Sequence, residues 1–133
     1  MHALNNALQG AIFQPRDMQS AARSYLQEMQ GLDEARDEHI REGGWYSVQI
    51  LYTALFNKGK HLDFHERVLA YEQAVLTGGP FVQNWGNVHW VAYLIGADGN
   101  VYLLDSMKRG AEVISEAAFA ASLAQHETYA VIG

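Results

Sequence analysis

The sequence predicts an α+β protein in which helices come first and a mainly antiparallel sheet follows. Apolar residues recur at helical spacing in the first half of the chain. From Phe81 onwards the apolar runs become β-branched and aromatic, and a turn-forming stretch over 97–100 separates two of them. Separation of helices from strands along the chain is typical of α+β proteins, and 133 residues suit one domain, 1–133.

Helical patterns account for most of the first 80 residues. A short apolar stretch over 3–8 ends near Gly10, and Pro15 opens a second helix with apolar positions at Met18, Ala21, Ala22, Tyr25, Leu26 and Met29. The charged run 33–42 pairs opposite charges three or four apart, which favours a solvated helix. Together with the second helix it predicts a helical arm over 16–42.

The segment between the arm and Phe81 predicts two further helices and a short strand. Trp45 begins an amphipathic helix that ends at 57–59, and residues 61–65 are expected to form a strand. A helix over 68–76 should stop at the Gly-Gly-Pro sequence 78–80.

The second half predicts strands over 81–83, 89–95, 101–104 and 128–132. One helix interrupts them. It should begin after Ser115, a good N-terminal cap, and run to about Gln125 with Phe119 and Leu123 on one face.

Composition excludes several classes of function. The net charge of −6 and pI near 5.4 disfavour nucleic-acid binding, and no apolar run approaches the roughly 20 residues that span a bilayer. The first residues lack the features of a signal peptide, so we expect an intracellular protein of the cytoplasm or nucleus. The 133 residues contain no cysteine, which excludes disulfides, cysteine-ligated metals and a thiolate nucleophile supplied by them.

His89 and Asp105 are the residues best placed for chemistry. His89 begins one strand of the predicted hairpin, and Asp105 follows the other. Antiparallel pairing across the turn places them within about two residues of each other. A histidine oriented by a carboxylate is the base half of a nucleophilic triad. Spacing alone favours a histidine that merely bonds a neighbouring side chain.

Four sequence blocks resemble the Josephin-type deubiquitinating enzymes, which are papain-like cysteine peptidases. The block 2–10, HALNNALQG, resembles the Cys-x-x-His-x-Leu-Asn-Asn signature, and 44–50, GWYSVQI, resembles the Gly-x-aromatic-x-Val helix of that family. The block 87–90, NVHW, resembles its His-Trp strand, and 102–106, YLLDS, its Asp/Asn-Ser segment, with Leu103 where many members have Asn. The blocks occur in the family's order across nearly the whole chain.

The resemblance implies a papain-like fold and cleavage of ubiquitin isopeptide bonds by a Cys–His–Asp/Asn triad. It makes His89 the general base and Asp105 the residue that orients it. Trp90 would shield the pair from water and contact the substrate. Trp85, in the turn before His89, is the best candidate for an aromatic residue that contacts substrate. Ubiquitin or a ubiquitin-like protein would be the partner.

The chain departs from the family pattern at the nucleophile. The spacing implies a cysteine two residues ahead of Met1, and the glutamine that completes the oxyanion hole would lie further upstream. Either the chain begins at an internal methionine of a complete enzyme, or it is a catalytically inactive relative that binds ubiquitin. A papain-like hydrolase acting on another amide is a third reading. As given, the chain is expected to be inactive.

Two further groups of polar residues receive a different interpretation. His2, Asn5 and Asn6 follow the nucleophile position, where polar side chains more often bond backbone than perform chemistry. His61, Asp63 and His65 alternate along a predicted strand, but nothing else in the sequence completes a ligand set. We therefore expect no metal and no cofactor.

Overall fold

The computed structural model describes residues 1–28, 39–41, 45–64 and 66–132. The helices in this part of the chain are α1 (His2–Ala7), α2 (Pro15–Glu28), α3 (Val48–Asn57), α4 (Tyr71–Thr77) and α5 (Glu116–Gln125). The strands are β1 (Ile40–Arg41), β2 (Trp45–Tyr46), β3 (His61–Asp63), β4 (Phe81–Trp85), β5 (His89–Ile95), β6 (Val101–Leu104), β7 (Glu112–Ile114) and β8 (Glu127–Ile132).

A six-stranded antiparallel sheet organises the fold, in the order β3-β8-β4-β5-β6-β7. The final strand, β8, inserts between β3 and β4, so the end of the chain lies inside the sheet. β1 and β2 form a separate two-stranded pair. The predicted α+β class is confirmed.

The sheet separates two hydrophobic clusters because alternate side chains of a strand point to opposite faces. The first cluster joins α1, α2 and α3 to one face and includes Val82, Trp90 and Ala92. The second joins α4 and α5 to the other face and includes Val91 and Tyr93. Full burial of a side chain such as Val82 or Val91 stabilises the fold by about 1.5–3 kcal/mol.

Local sequence signals fix several helix ends. The Ser47 hydroxyl accepts the N–H of Ile50 at the start of α3, and the Ser115 hydroxyl accepts that of Ala118 at the start of α5. α4 ends at Gly78, which adopts the left-handed conformation (φ 79°) that glycine tolerates best.

The structure corrects four sequence-based boundaries. Trp45 and Tyr46 form β2 rather than the first turn of a helix, so α3 begins at Val48, and α4 begins at Tyr71 rather than at residue 68. The end of the charged run is a strand, β1, and β7 was not predicted. Residues 29–38, 42–44 and 65 lie outside the described part, and with them most of the charged run and His65.

None of the helices in the described ranges is long and apolar enough to cross a bilayer.

Candidate functional site

His89 and Asp105 are in direct contact at one end of the sheet. Nε2 of His89 lies 2.8 Å from Oδ1 of Asp105. The histidine side chain is 26% exposed and that of the aspartate is 5% exposed. The pair therefore combines an accessible imidazole with a shielded carboxyl group.

The β5–β6 hairpin brings the two residues together. Ala92 pairs with Leu104, and Ile95 pairs with Val101 next to the turn. Continuing this register away from the turn sets Asp105 opposite residue 91 and His89 opposite residue 107, so the two side chains meet diagonally. The register of the hairpin thus brings the two residues within reach of each other.

The Asp105 carboxyl is held as a carboxylate. Burial raises its pKa, but the backbone N–H of Met107, the hydrogen bond with His89 and the charge of Lys108 together lower the pKa below its ordinary value of 3.8. Oδ1 accepts the Met107 N–H at 2.9 Å and also faces His89. At neutral pH the group is an anionic acceptor.

An anionic acceptor at Nε2 determines the histidine tautomer. A carboxylate has no proton to donate, so Nε2 must carry the hydrogen, and in the neutral imidazole Nδ1 then has a free lone pair. Within the described residues no hydrogen-bond partner occupies Nδ1 of His89. Nδ1 is therefore the atom that can accept a proton from an incoming nucleophile.

Trp85 packs directly against the imidazole. Trp85 and His89 face each other across β4 and β5, and their rings meet edge to face with centroids 5.8 Å apart. The Trp85 ring also contacts His126, with centroids 5.9 Å apart, and its indole N–H donates to Oε1 of Gln83 at 2.7 Å. The residue is half-buried, so part of its ring remains available to a ligand.

Trp90 has a different environment from Trp85. It is only 8% exposed, stacks on Trp45 and donates its indole N–H to the backbone carbonyl of Tyr46 at 2.7 Å. It belongs to the first hydrophobic cluster, across the sheet from Val91. Its role as a shield or a substrate contact stays a prediction, and little of its surface is accessible for one.

α1 packs against β5 and borders the cavity next to Asp105. Its last residue, Ala7, lines a cavity with Leu94 and Ile95 at the far end of β5, whereas Asn6 lines a small cavity with Asp105.

The polar residues of α1 divide into two kinds. Asn5 bonds backbone, as expected: Nδ2 donates to the carbonyl of Phe13 at 3.0 Å, and Oδ1 accepts the N–H of Phe13 at 2.7 Å. Asn6 makes no side-chain hydrogen bond within the described residues and faces the Asp105 cavity instead.

No group of three or more His, Asp or Glu side chains within the described ranges gathers closely enough to hold a metal ion. His61 and Asp63 lie on β3, which is at the opposite edge of the sheet from β7.

Sequence reasoning missed the role of Gln83. This residue is fully buried in β4 and bonds Trp85, Ser122 and Thr128. An amide in the middle of the apolar run 81–85 was the available signal, because a buried polar side chain requires partners.

The comparisons with known proteins agree with the fold and the blocks described above. The sequence model of the Josephin family matches residues 1–132. The chain is similar to a protein of Caenorhabditis elegans described as "Ataxin-3 homolog", with 30% identity over 124 residues. The aligned region covers 86% of this chain and 38% of that relative, so the chain spans well under half of the relative's length.

Proposed function

This chain belongs to the Josephin family, and from that premise we propose that it is a ubiquitin-directed domain. In this proposal His89 is the general base of a thiol hydrolase site and Asp105 is the residue that orients it. The observation that carries the proposal is the 2.8 Å contact between His89 Nε2 and Asp105 Oδ1, which leaves Nδ1 free on an accessible ring.

The pair supplies the proton-transfer half of such a reaction. A thiol near His89 would pass its proton to Nδ1, and the thiolate formed would attack the carbonyl carbon of the scissile amide. Asp105 stabilises the imidazolium that results. The imidazolium then returns the proton to the leaving amine.

The thiol is the group that these 133 residues do not contain. The family signature implies a cysteine three residues before His2. Without it, His89 and Asp105 can at most orient a water molecule, and the covalent route is lost. We therefore expect the 133-residue chain alone to bind ubiquitin without cleaving its conjugates.

The absence of cysteine also favours a second function, that of a binding module without activity. In this function the same surface, Trp85 with the accessible face of His89, holds ubiquitin or a ubiquitin-like protein. Both functions require binding, and only the first requires the pair to transfer protons.

A calorimetric titration of the 133-residue chain with ubiquitin tests what the two functions share. We expect saturable binding. A parallel titration with a small acidic protein of another fold serves as the control for non-specific association. A dissociation constant of about 1 mM corresponds to a binding free energy of only about −4 kcal/mol. Absence of binding at ubiquitin concentrations up to about 1 mM would therefore reject both functions.

A further inference from the structure

We infer that Gln83 is a positioning residue for His89, because its buried amide holds the Trp85 ring that packs against the imidazole. The inference rests on the proposed function, in which His89 is the base. Gln83 touches neither the reacting atoms nor solvent, since it is 0% exposed in the middle of β4. Its effect must therefore pass through Trp85.

Three elements hold the Gln83 amide. Oε1 accepts the indole N–H of Trp85 on β4 at 2.7 Å. Nε2 donates to the hydroxyl of Ser122 on α5 at 3.2 Å and to that of Thr128 on β8 at 3.0 Å. Both amide hydrogens and the carbonyl oxygen are thus satisfied, which offsets the cost of burying them.

The partners also determine which way the amide points. The Ser122 hydroxyl donates its hydrogen to the carbonyl of Phe119 at 2.7 Å, and the Thr128 hydroxyl donates to that of His126 at 3.2 Å. Each hydroxyl can therefore only accept from Gln83. The indole N–H of Trp85 can only donate. If Oε1 and Nε2 of Gln83 exchanged places, the amide NH2 would face the indole N–H and the amide oxygen would face two hydroxyl oxygens.

Among the hydrogen-bond partners of Gln83, Trp85 is the one that depends on it. Ser122 and Thr128 already have acceptors for their hydrogens, so neither hydroxyl requires Gln83. The indole N–H of Trp85 has Gln83 as its acceptor and no other within the described residues. Gln83 therefore acts chiefly on the orientation of the Trp85 ring.

The Trp85 ring in turn limits the movement of His89. Trp85 is the direct cross-strand partner of His89, and the two rings lie at 66° with centroids 5.8 Å apart. His126 contacts the Trp85 ring as well, at 5.9 Å. A Trp85 ring fixed in this way restricts rotation of the imidazole away from Asp105, and removal of the Gln83 acceptor should loosen the His89–Asp105 bond.

Exchange of the His89 Nε2 proton with water, followed by NMR on the unliganded chain, tests this inference. In the wild-type chain this proton lies in the hydrogen bond to Asp105 and should exchange slowly. Gln83→Met keeps the length of the side chain and removes the acceptor, so we expect exchange to become faster. Trp85→Phe removes the donor of the same hydrogen bond and should also make exchange faster. This variant tests the inference if Gln83→Met does not fold.

Gln73→Met is the matched control. Gln73 lies on α4, and its Oε1 likewise accepts an N–H, that of Leu69 at 3.0 Å, but Gln73 is not part of the contacts that join Gln83, Trp85 and His89. The same substitution there should leave the His89 proton unchanged. Asp105→Ala should abolish the protected signal and so identifies it.

The two substitutions should not be additive, because they break one bond from its two ends. Faster exchange in each single variant, with no further increase in the double variant, would support the inference. A Gln83→Met chain that is less stable but keeps the wild-type exchange rate would overturn it, since Gln83 would then be purely structural. The result is independent of ubiquitin binding, so failure of the proposed function would be recognised separately.

Discussion

The backbone N–H of Met107 donates a 2.9 Å hydrogen bond to Oδ1 of Asp105. The same oxygen contacts His89, so the turn that follows β6 and the candidate base share one acceptor. A change in the charge of this carboxyl group should therefore affect both the fold and the site.

We expect the Asp105 carboxylate to make acid unfolding partly dependent on this residue. Its pKa in the folded state is below the ordinary 3.8, so the unfolded chain takes up the proton at a higher pH than the folded one. The stabilisation is complete above about pH 5 and is lost as the pH falls through the lowered folded-state pKa. Asp105→Asn should lack this dependence.

Urea unfolding of both chains between about pH 2 and about pH 7 measures the effect. Asp17 and Asp98 also have lowered pKa values, so the difference between the two chains is the relevant quantity. Parallel curves over the whole range would show that Asp105 is not held as a carboxylate.

A second pH effect is expected at the alkaline end. Burial and the 2.9 Å bond to Glu127 raise the pKa of Tyr129 from 10.0 to about 12. Since the unfolded chain loses this proton first, the free energy of unfolding should fall as the pH rises from 10 towards 12, by at most about 2–3 kcal/mol. Tyr129→Phe should remove that part of the decline, and an unchanged decline would contradict the assignment.

Asn5→Ala should destabilise the fold, because Asn5 has a structural role that is separate from the proposed catalytic site. The substitution leaves both backbone groups of Phe13 without their partner, and Phe13 is only 2% exposed. We expect a loss of about 1–3 kcal/mol in denaturant unfolding. Asn6→Ala is the control on the same helix and should cost much less. Equal losses of unfolding free energy in the two variants would mean that the hydrogen bonds between Asn5 and Phe13 do not stabilise the fold.

Trp85→Ala should weaken ubiquitin binding more than Asp105→Ala does. Trp85 offers part of an aromatic ring to a partner, whereas the Asp105 side chain is 5% exposed and acts through His89. Calorimetric titration of the two variants, with far-ultraviolet circular dichroism to check folding, measures this order. The reverse order in well-folded chains would place the binding surface elsewhere.

The His89–Asp105 contact could be predicted from the sequence because a single hairpin determines it. His89 and Asp105 lie on consecutive strands joined by a short turn, so the alternation of the strands and the position of the turn suffice. The family blocks around both residues point to the same site.

The interactions that surround the pair could not be predicted in this way. Gln83 contacts Thr128, which lies 45 positions further along the chain, and β8 inserts between β3 and β4 only after α5. Trp45 has a strong helical pattern, yet it lies in β2 and stacks on Trp90, because tertiary packing outweighs local propensity. Such long-range pairings leave no periodic signal in the sequence.

If His89 is a general base that lacks only its thiol, supplying that thiol ahead of Met1 should produce a working hydrolase. The chain is extended at its N-terminus so that a cysteine stands two residues before Met1, within an upstream segment that includes a glutamine, and cleavage of a ubiquitin amide is followed. We expect cleavage by this form, none by the 133-residue chain, and loss of at least about 10²-fold in rate on His89→Ala. Cleavage that His89→Ala leaves undiminished would contradict the assignment of His89 as the general base.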